Sequence, residues 1–185
     1  MTKSRIDQAT ICFSDLNPKK IHEFDFRPSD EVVGDLMRDL ELLSLSKLRL
    51  QGRLFALGWR SWVLSAHLGA TVVQHCVVSL DPVSTRIDAP VERKFVPLAE
   101  IEPIQVSEDE EIEMDQDDII EPLEAELDLL TILSESLALE LPAYPRSKGA
   151  VLKTAMFSAA GLAPMSDEDA KPFAELAAFK AKLEK

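Results

Sequence analysis

Apolar positions change their spacing several times along the chain, and each change predicts an element. Ile21 to Phe26 alternates, with Ile21, Glu23 and Asp25 set against His22, Phe24 and Phe26, as a strand requires. Pro28-Ser29-Asp30-Glu31 then reads as a helix start. Ser29 can accept a hydrogen bond from a free backbone N–H, and two carboxylates suit the positive end of the helix dipole. Val32, Val33, Leu36, Met37, Leu40 and Leu43 follow at helical spacing and form one apolar stripe, so a helix is predicted over 29–43.

The period shortens at Lys47. Lys47, Arg49, Gln51 and Arg53 alternate with Leu48, Leu50, Gly52 and Leu54, which predicts a strand with one cationic and one apolar face. Trp62 to Ala66, Thr71 to Leu80 and Thr85 to Val96 are rich in β-branched and aromatic residues and predict further strands. Gly58 and Gly69 suit turns or bulges between them, and Asp81-Pro82 suits the last turn. The centre is thus expected to be a mainly antiparallel sheet of about four strands.

After Pro97 the pattern loses its period. Ser107 to Asp118 is dominated by carboxylates and is expected to be a solvated insertion. Leu123-Glu124-Ala125-Glu126-Leu127 alternates cleanly and predicts a strand with one wet face. Asp128 can cap a helix carrying Leu129, Leu130, Ile132, Leu133 and Leu137, which Pro142 and Pro145 stop. Residues 143–170 read as loosely structured. A last amphipathic helix is predicted over Pro172 to Leu183, with Phe173, Leu176 and Phe179 docking on the parent domain or serving as an interaction helix. The fold class is α+β, divided into a lead-in (1–20), a domain (20–145) with its acidic insertion at about 105–118, and a C-terminal extension (146–185) ending in a helix.

Charge sharpens this division. The net charge is -13, yet residues 1–99 hold 12 acidic and 13 basic side chains. Residues 100–142 hold 16 acidic side chains and no Lys or Arg. The acidity therefore belongs to one segment, which attracts basic partners and repels phosphates. The longest apolar region, Trp59 to Leu80, is broken by Arg60, Ser61, His67, Gln74 and His75, so no membrane span is expected. Lys3 and Arg5 have no apolar run behind them and do not read as a signal peptide. Cys12 and Cys76 make no disulfide framework, and a reducing, cytoplasmic setting is expected.

No residue set reads as catalytic. His22, His67 and His75 stand outside any nucleophile or His-Glu-x-x-His pattern, and the six glycines are scattered singly rather than forming a phosphate loop. His75 and Cys76, adjacent in a predicted strand, should point to opposite faces and cannot share one ion, so a core cysteine beside a surface histidine is expected. The acidic run lacks the central glycine of a calcium loop. No catalytic, metal or cofactor residues are therefore assigned. Two surfaces remain as binding candidates. Glu108, Asp109, Glu110, Glu111, Glu113, Asp115, Asp117 and Asp118 could hold a basic protein; Lys47, Arg49, Arg53 and Arg60 are candidate RNA contacts, or else an ordinary solvated face. Trp59 and Trp62 read as core.

The order of motifs is familiar: a helix, Leu48-x-Leu50-x-Gly52, Cys76-Val77-Val78-Ser79-Leu80-Asp81-Pro82-Val83, a strand ending Phe95-Val96-Pro97, an acidic insertion, Leu127-Asp128-Leu129 and Leu137-Ala138-Leu139-Glu140-Leu141-Pro142. Over roughly residues 20–150 this resembles the YceD family of bacterial large ribosomal RNA subunit accumulation proteins. The resemblance implies a role in accumulation of large-subunit (23S) ribosomal RNA and a link to a small basic ribosomal protein, and it carries over no catalytic residues. Many relatives have a second cysteine in the Cys76 motif and more after Leu-x-Leu-Pro; Ser79, Arg146 and Ser147 occupy those places here. The expected function is a non-enzymatic ribosome-biogenesis factor whose acidic segment binds a basic ribosomal protein or pre-ribosomal particle. A direct RNA-binding module and a metal-dependent hydrolase or nuclease are the alternatives; neither DNA nor a membrane is an expected partner.

Overall fold

The structure, a computed structural model, describes residues 3–6, 9–58, 60–101, 120–151 and 161. The chain divides into two compact units, Met1–Ser147 and Lys148–Lys185. All elements below belong to the first. They are β1 (Lys3–Ile6), β2 (Thr10–Cys12), β3 (Ile21–Phe26), α1 (Asp30–Asp39), β4 (Ser44–Leu57), β5 (Ser61–His75), β6 (Pro82–Val96), β7 (Ile120–Pro122), β8 (Glu126–Asp128) and α2 (Leu129–Glu140). Six strands form one sheet in the order β1-β3-β4-β5-β6-β7, and β2 pairs with β8 separately. The three inner pairings of the large sheet are antiparallel, whereas β1 runs parallel to β3 and β7 parallel to β6. The fold is α+β with a mostly antiparallel sheet.

Alternation along β4, β5 and β6 sends one set of side chains into a single core. Leu50, Leu54, Leu64 and Leu68 of the sheet meet Leu129, Leu133 and Leu137 of α2, all without exposed surface. Burying each such leucine contributes about 1.5–3 kcal/mol. α2 starts where Asp128 accepts hydrogen bonds from the Leu130 N–H at 2.9 Å and from Thr131 Oγ1 at 3.0 Å. α1 starts at Ser29, whose hydroxyl accepts from the Val32 N–H at 3.5 Å.

Several elements differ from the pattern-based reading. The apolar stripe expected to carry a helix to Leu43 outlasts it, since α1 ends at Asp39. Glu41 turns left-handed with φ 53, the Leu42 N–H reaches the Met37 carbonyl at 2.9 Å, and Leu42 is buried from the turn rather than from the helix. Gly69 interrupts nothing. β5 runs through it in unbroken register with β6, and the Arg86 guanidinium lies where a side chain at 69 would stand, with Nη2 3.0 Å from the Cβ position. β5 stops at His75, so Cys76 to Leu80 form a turn and not the predicted strand end; Leu80 there has φ 63. Of the strand predicted over Leu123 to Leu127 only Glu126 and Leu127 are extended, in β8 of the small sheet, and 123–125 link β8 to β7 of the large sheet, which precedes the predicted segment. Among the described residues the large sheet has six strands: the expected antiparallel centre is β3 to β6, and β1 and β7 add a parallel strand at each edge. The early residues of the chain join the core, with Ile11 buried and the Phe13 ring 5.7 Å from those of Trp62 and Phe95. The acidic run 105–118, Trp59 and the helix predicted over Pro172 to Leu183 lie outside the described residues.

Candidate binding surfaces

The face of the large sheet opposite the core is polar and is ordered in rows. Cross-strand register aligns Glu23, Arg53, Ser65 and Glu92; Asp25, Gln51, His67 and Pro90; and Arg49, Gly69 and Asp88. Two arginines on it are held by carboxylates. Arg49 donates from Nε to Asp25 Oδ1 at 2.6 Å and from Nη2 to Oδ2 at 2.9 Å. Arg86 donates from Nε to Asp88 Oδ2 at 2.8 Å and from Nη2 to Oδ1 at 2.6 Å. That fork holds the Asp88 carboxyl below its ordinary range, with a smaller pull from His67. Arg53 lies 5.7 Å over the ring of Phe55.

A bulge reshapes the start of this face. The β4–β5 register shifts between Ser46 and Arg49, and Lys47 takes φ 54, a conformation costing a non-glycine residue on the order of 1–2 kcal/mol. Beside it opens a groove of about 820 Å³ lined by Arg27, Asp30, Lys47, Arg49, Arg86 and Asp88, among others. Of the four predicted RNA contacts, Lys47 and Arg49 line this groove and Arg53 lines the neighbouring hollow. Arg60 stands apart, exposed at the β4–β5 turn. Arg27 and Arg86 were not singled out from the sequence; only the β5–β6 register, which sets Arg86 against Thr71, brings Arg86 to the groove.

The charge on the other side differs. Glu124, Glu126, Asp128, Glu135 and Glu140 of the β8–α2 region are exposed, and among the described residues none has a Lys or Arg within ion-pairing distance. Glu121 is the exception in this acidic segment. It stands 2.8 Å from Nε of the buried Arg93, tying β7 to β6. Burial pushes its carboxyl up, and Arg93 partly opposes that.

A third feature is the Cys76 cradle. Cys76 is fully buried and His75 exposed. Its sulfur accepts backbone N–H groups from Val78 and Ser79 at 3.4 Å and Ser147 at 3.3 Å. The Ser79 and Ser147 hydroxyls lie 3.1 Å apart although 68 residues separate them in sequence. The Ser79 side chain, with the backbone N–H groups of Ser147, Ser79 and Val78, lowers the thiol to about 6 against the upward push of burial. Among the described residues no three His, Cys, Asp or Glu side chains are placed to hold a metal ion.

Residues 64–180, more than half of the chain, match the family described as large ribosomal RNA subunit accumulation protein YceD. The chain belongs to the YceD family. The match begins inside β5 and runs beyond the first unit, whereas the motif resemblance drew on 20–150. No curated relative and no solved structure matches the chain. The YceD description ties it to large-subunit ribosomal RNA, and the YceD family is not a known enzyme family. Ser79 and Ser147 meet at Cys76, so the cradle offers one thiol and two hydroxyls rather than a set of thiolate ligands. No helix among the described residues is long and apolar enough to cross a membrane.

Proposed function

We propose that this protein is a non-enzymatic factor that supports large-subunit ribosomal RNA accumulation by binding a basic ribosomal protein through its acidic segment. The observation carrying this reading is the charge of residues 100–142, where 16 carboxylates face no Lys or Arg in sequence. The five exposed carboxylates from Glu124 to Glu140 support it, because a field of one sign with no cationic partner among the described residues favours an external one. Eight of the fourteen residues 105–118 extend the same charge. The ribosomal RNA role of the family fits a partner from the large subunit, whose proteins are typically basic, and a cytoplasmic place of action.

Exposed pairs contribute about 0–1 kcal/mol each, so many act together and binding should weaken steeply with salt. The test is a pull-down of large-subunit proteins across a salt series, with Glu108, Asp109, Glu110 and Glu111 replaced by Ser in one variant and Arg49 and Arg53 in another. Loss of protein capture in the acidic variant alone is the expected result. Loss in the arginine variant alone refutes this reading.

A further inference from the structure

The groove beside the Lys47 bulge has no part in that reading, and its construction calls for a ligand of the opposite sign. Its floor is Gly69, where a Cβ would come within 3.0 Å of Arg86 Nη2. Arg49 lies across from Gly69 on one side and Asp88 on the other, and with no side chain at 69 the Arg86 guanidinium reaches over the glycine toward Arg49, so the two arginine forks neighbour each other in the groove. Each fork spends Nε and Nη2 on one aspartate. That fixes the plane of the guanidinium and leaves the Nη1 edge and the flat face to a ligand. Among the described residues Arg86 Nη1 meets only the Thr71 hydroxyl, at 3.4 Å. Arg27 approaches Asp25 no closer than 3.6 Å, and Lys47 enters from a strained bulge with no ion pair among the described residues.

The balance of charge points the same way. Arg27, Lys47, Arg49 and Arg86 outnumber Asp25, Asp30 and Asp88 by four to three. On a chain of net charge -13 this excess makes the groove a local positive site in a repelling field. A polyanion is repelled by the acidic side. Oriented guanidinium planes with a lysine beside them suit a single strand, whose phosphates take the N–H edges and whose bases stack on the flat faces.

We propose that this groove binds single-stranded RNA through its sugar–phosphate backbone, independently of the acidic segment. The ribosomal RNA role in the family description makes RNA, rather than an acidic protein, the polyanion to which the proposal commits. The two surfaces then act together: one holds a basic protein, the other the RNA strand on which such a protein assembles.

The test uses the full chain and a short fluorescent single-stranded RNA, read by anisotropy over a salt series. About three phosphate contacts predict a slope of log K against log salt of about -2, at roughly 0.7 per phosphate. The variant is Lys47→Gly with Arg86→Ser. Glycine relaxes the positive φ at 47 and Arg86 is surface-exposed, so an unchanged melting curve checks the fold. The expected result is a large loss of RNA affinity, with the slope falling by about 1.4 for two lost contacts. Capture of basic proteins by the same variant should stay intact. The Glu108, Asp109, Glu110 and Glu111 serine variant should bind RNA as well as the wild type or better. Three outcomes each overturn the proposal: no RNA binding by the wild type, equal binding by the groove variant, or displacement of RNA by polyglutamate at equal charge, which would mark a surface for acidic proteins.

Discussion

Replacing Gly52 by alanine adds one methyl group where the sheet has no room for it. An added Cβ would lie against the Ser65 carbonyl oxygen, 2.5 Å from Ala66 Cα and 2.6 Å from Ala66 Cβ. Ordinary contact begins at 3.4 Å, so the shortfall to Ala66 Cα is about 0.9 Å. The obstacle is backbone, and no side-chain rotation relieves it. β4 must move away from β5 around the Gly52–Ala66 pair, and Phe24 across from Gly52 on β3 must follow. Overpacking costs about 1–3 kcal/mol, and each loosened ladder hydrogen bond adds roughly 0.5–1.5 kcal/mol. The expected loss is about 3 kcal/mol, a large share of a typical stability of about 5–15 kcal/mol. Urea denaturation measures it: with a slope of about 2 kcal/mol per M the midpoint should fall by roughly 1.5 M. Gly34→Ala is the control. Nothing stands within 4 Å of a Cβ there, and the site lies inside α1. The same methyl group should therefore raise stability by about 0.5–1 kcal/mol through helix propensity. Adding Ala66→Gly should not rescue Gly52→Ala, since the Ser65 oxygen and Ala66 Cα stay in place. An unchanged midpoint for Gly52→Ala, or full rescue by Ala66→Gly, would refute the backbone-clash argument.

The Cys76 thiol, held down to about 6 from 9.0, binds no proton between those values while the unfolded chain still does. The Cys76 contribution to the thermal midpoint should therefore rise with pH from about 6 to 9, being lost as pH falls to about 6 and flat below it; a wild-type profile parallel to that of Cys76→Ser would refute this. Asp128→Ala removes the acceptor for the Leu130 N–H and should cost about 1 kcal/mol in urea denaturation, with α2 fraying first by amide exchange. Chelator should leave the thermal midpoint unchanged, and stoichiometric zinc whose removal unfolds the protein would contradict that.

What was legible in the sequence is what short-range physics decides. Ser29 and Asp128 announced the starts of α1 and α2 because a cap needs only a side-chain oxygen and a backbone N–H two or three residues on. Alternation from Lys47 to Leu54 separated the two faces of β4 because side chains in a strand alternate whatever lies beside them. The segregation of 16 carboxylates into residues 100–142 is likewise a property of the chain order. The motifs around Cys76 and Leu139-Glu140-Leu141-Pro142 were enough to suggest the family that residues 64–180 match.

Tertiary structure alone decided what depends on residues distant in the chain. Gly69 reads locally as a break, yet the strand continues through it because it is paired on both sides, with Arg49 of β4 and Asp88 of β6, and the Arg86 guanidinium from β6 fills the place of its missing side chain. Leu123 to Leu127 alternates as one strand, yet only its last two residues pair, in β8 with β2, while β7 just before it pairs with β6 in the other sheet. The arginines of the open face look uncompensated in sequence; register is what sets Asp25 beside Arg49, 24 residues away. Ser79 and Ser147 have no reason to be related until the chain brings both to the Cys76 sulfur. Periodicity specifies which face a side chain takes, whereas partners across a sheet follow from register, and register is settled by the packing of the whole core.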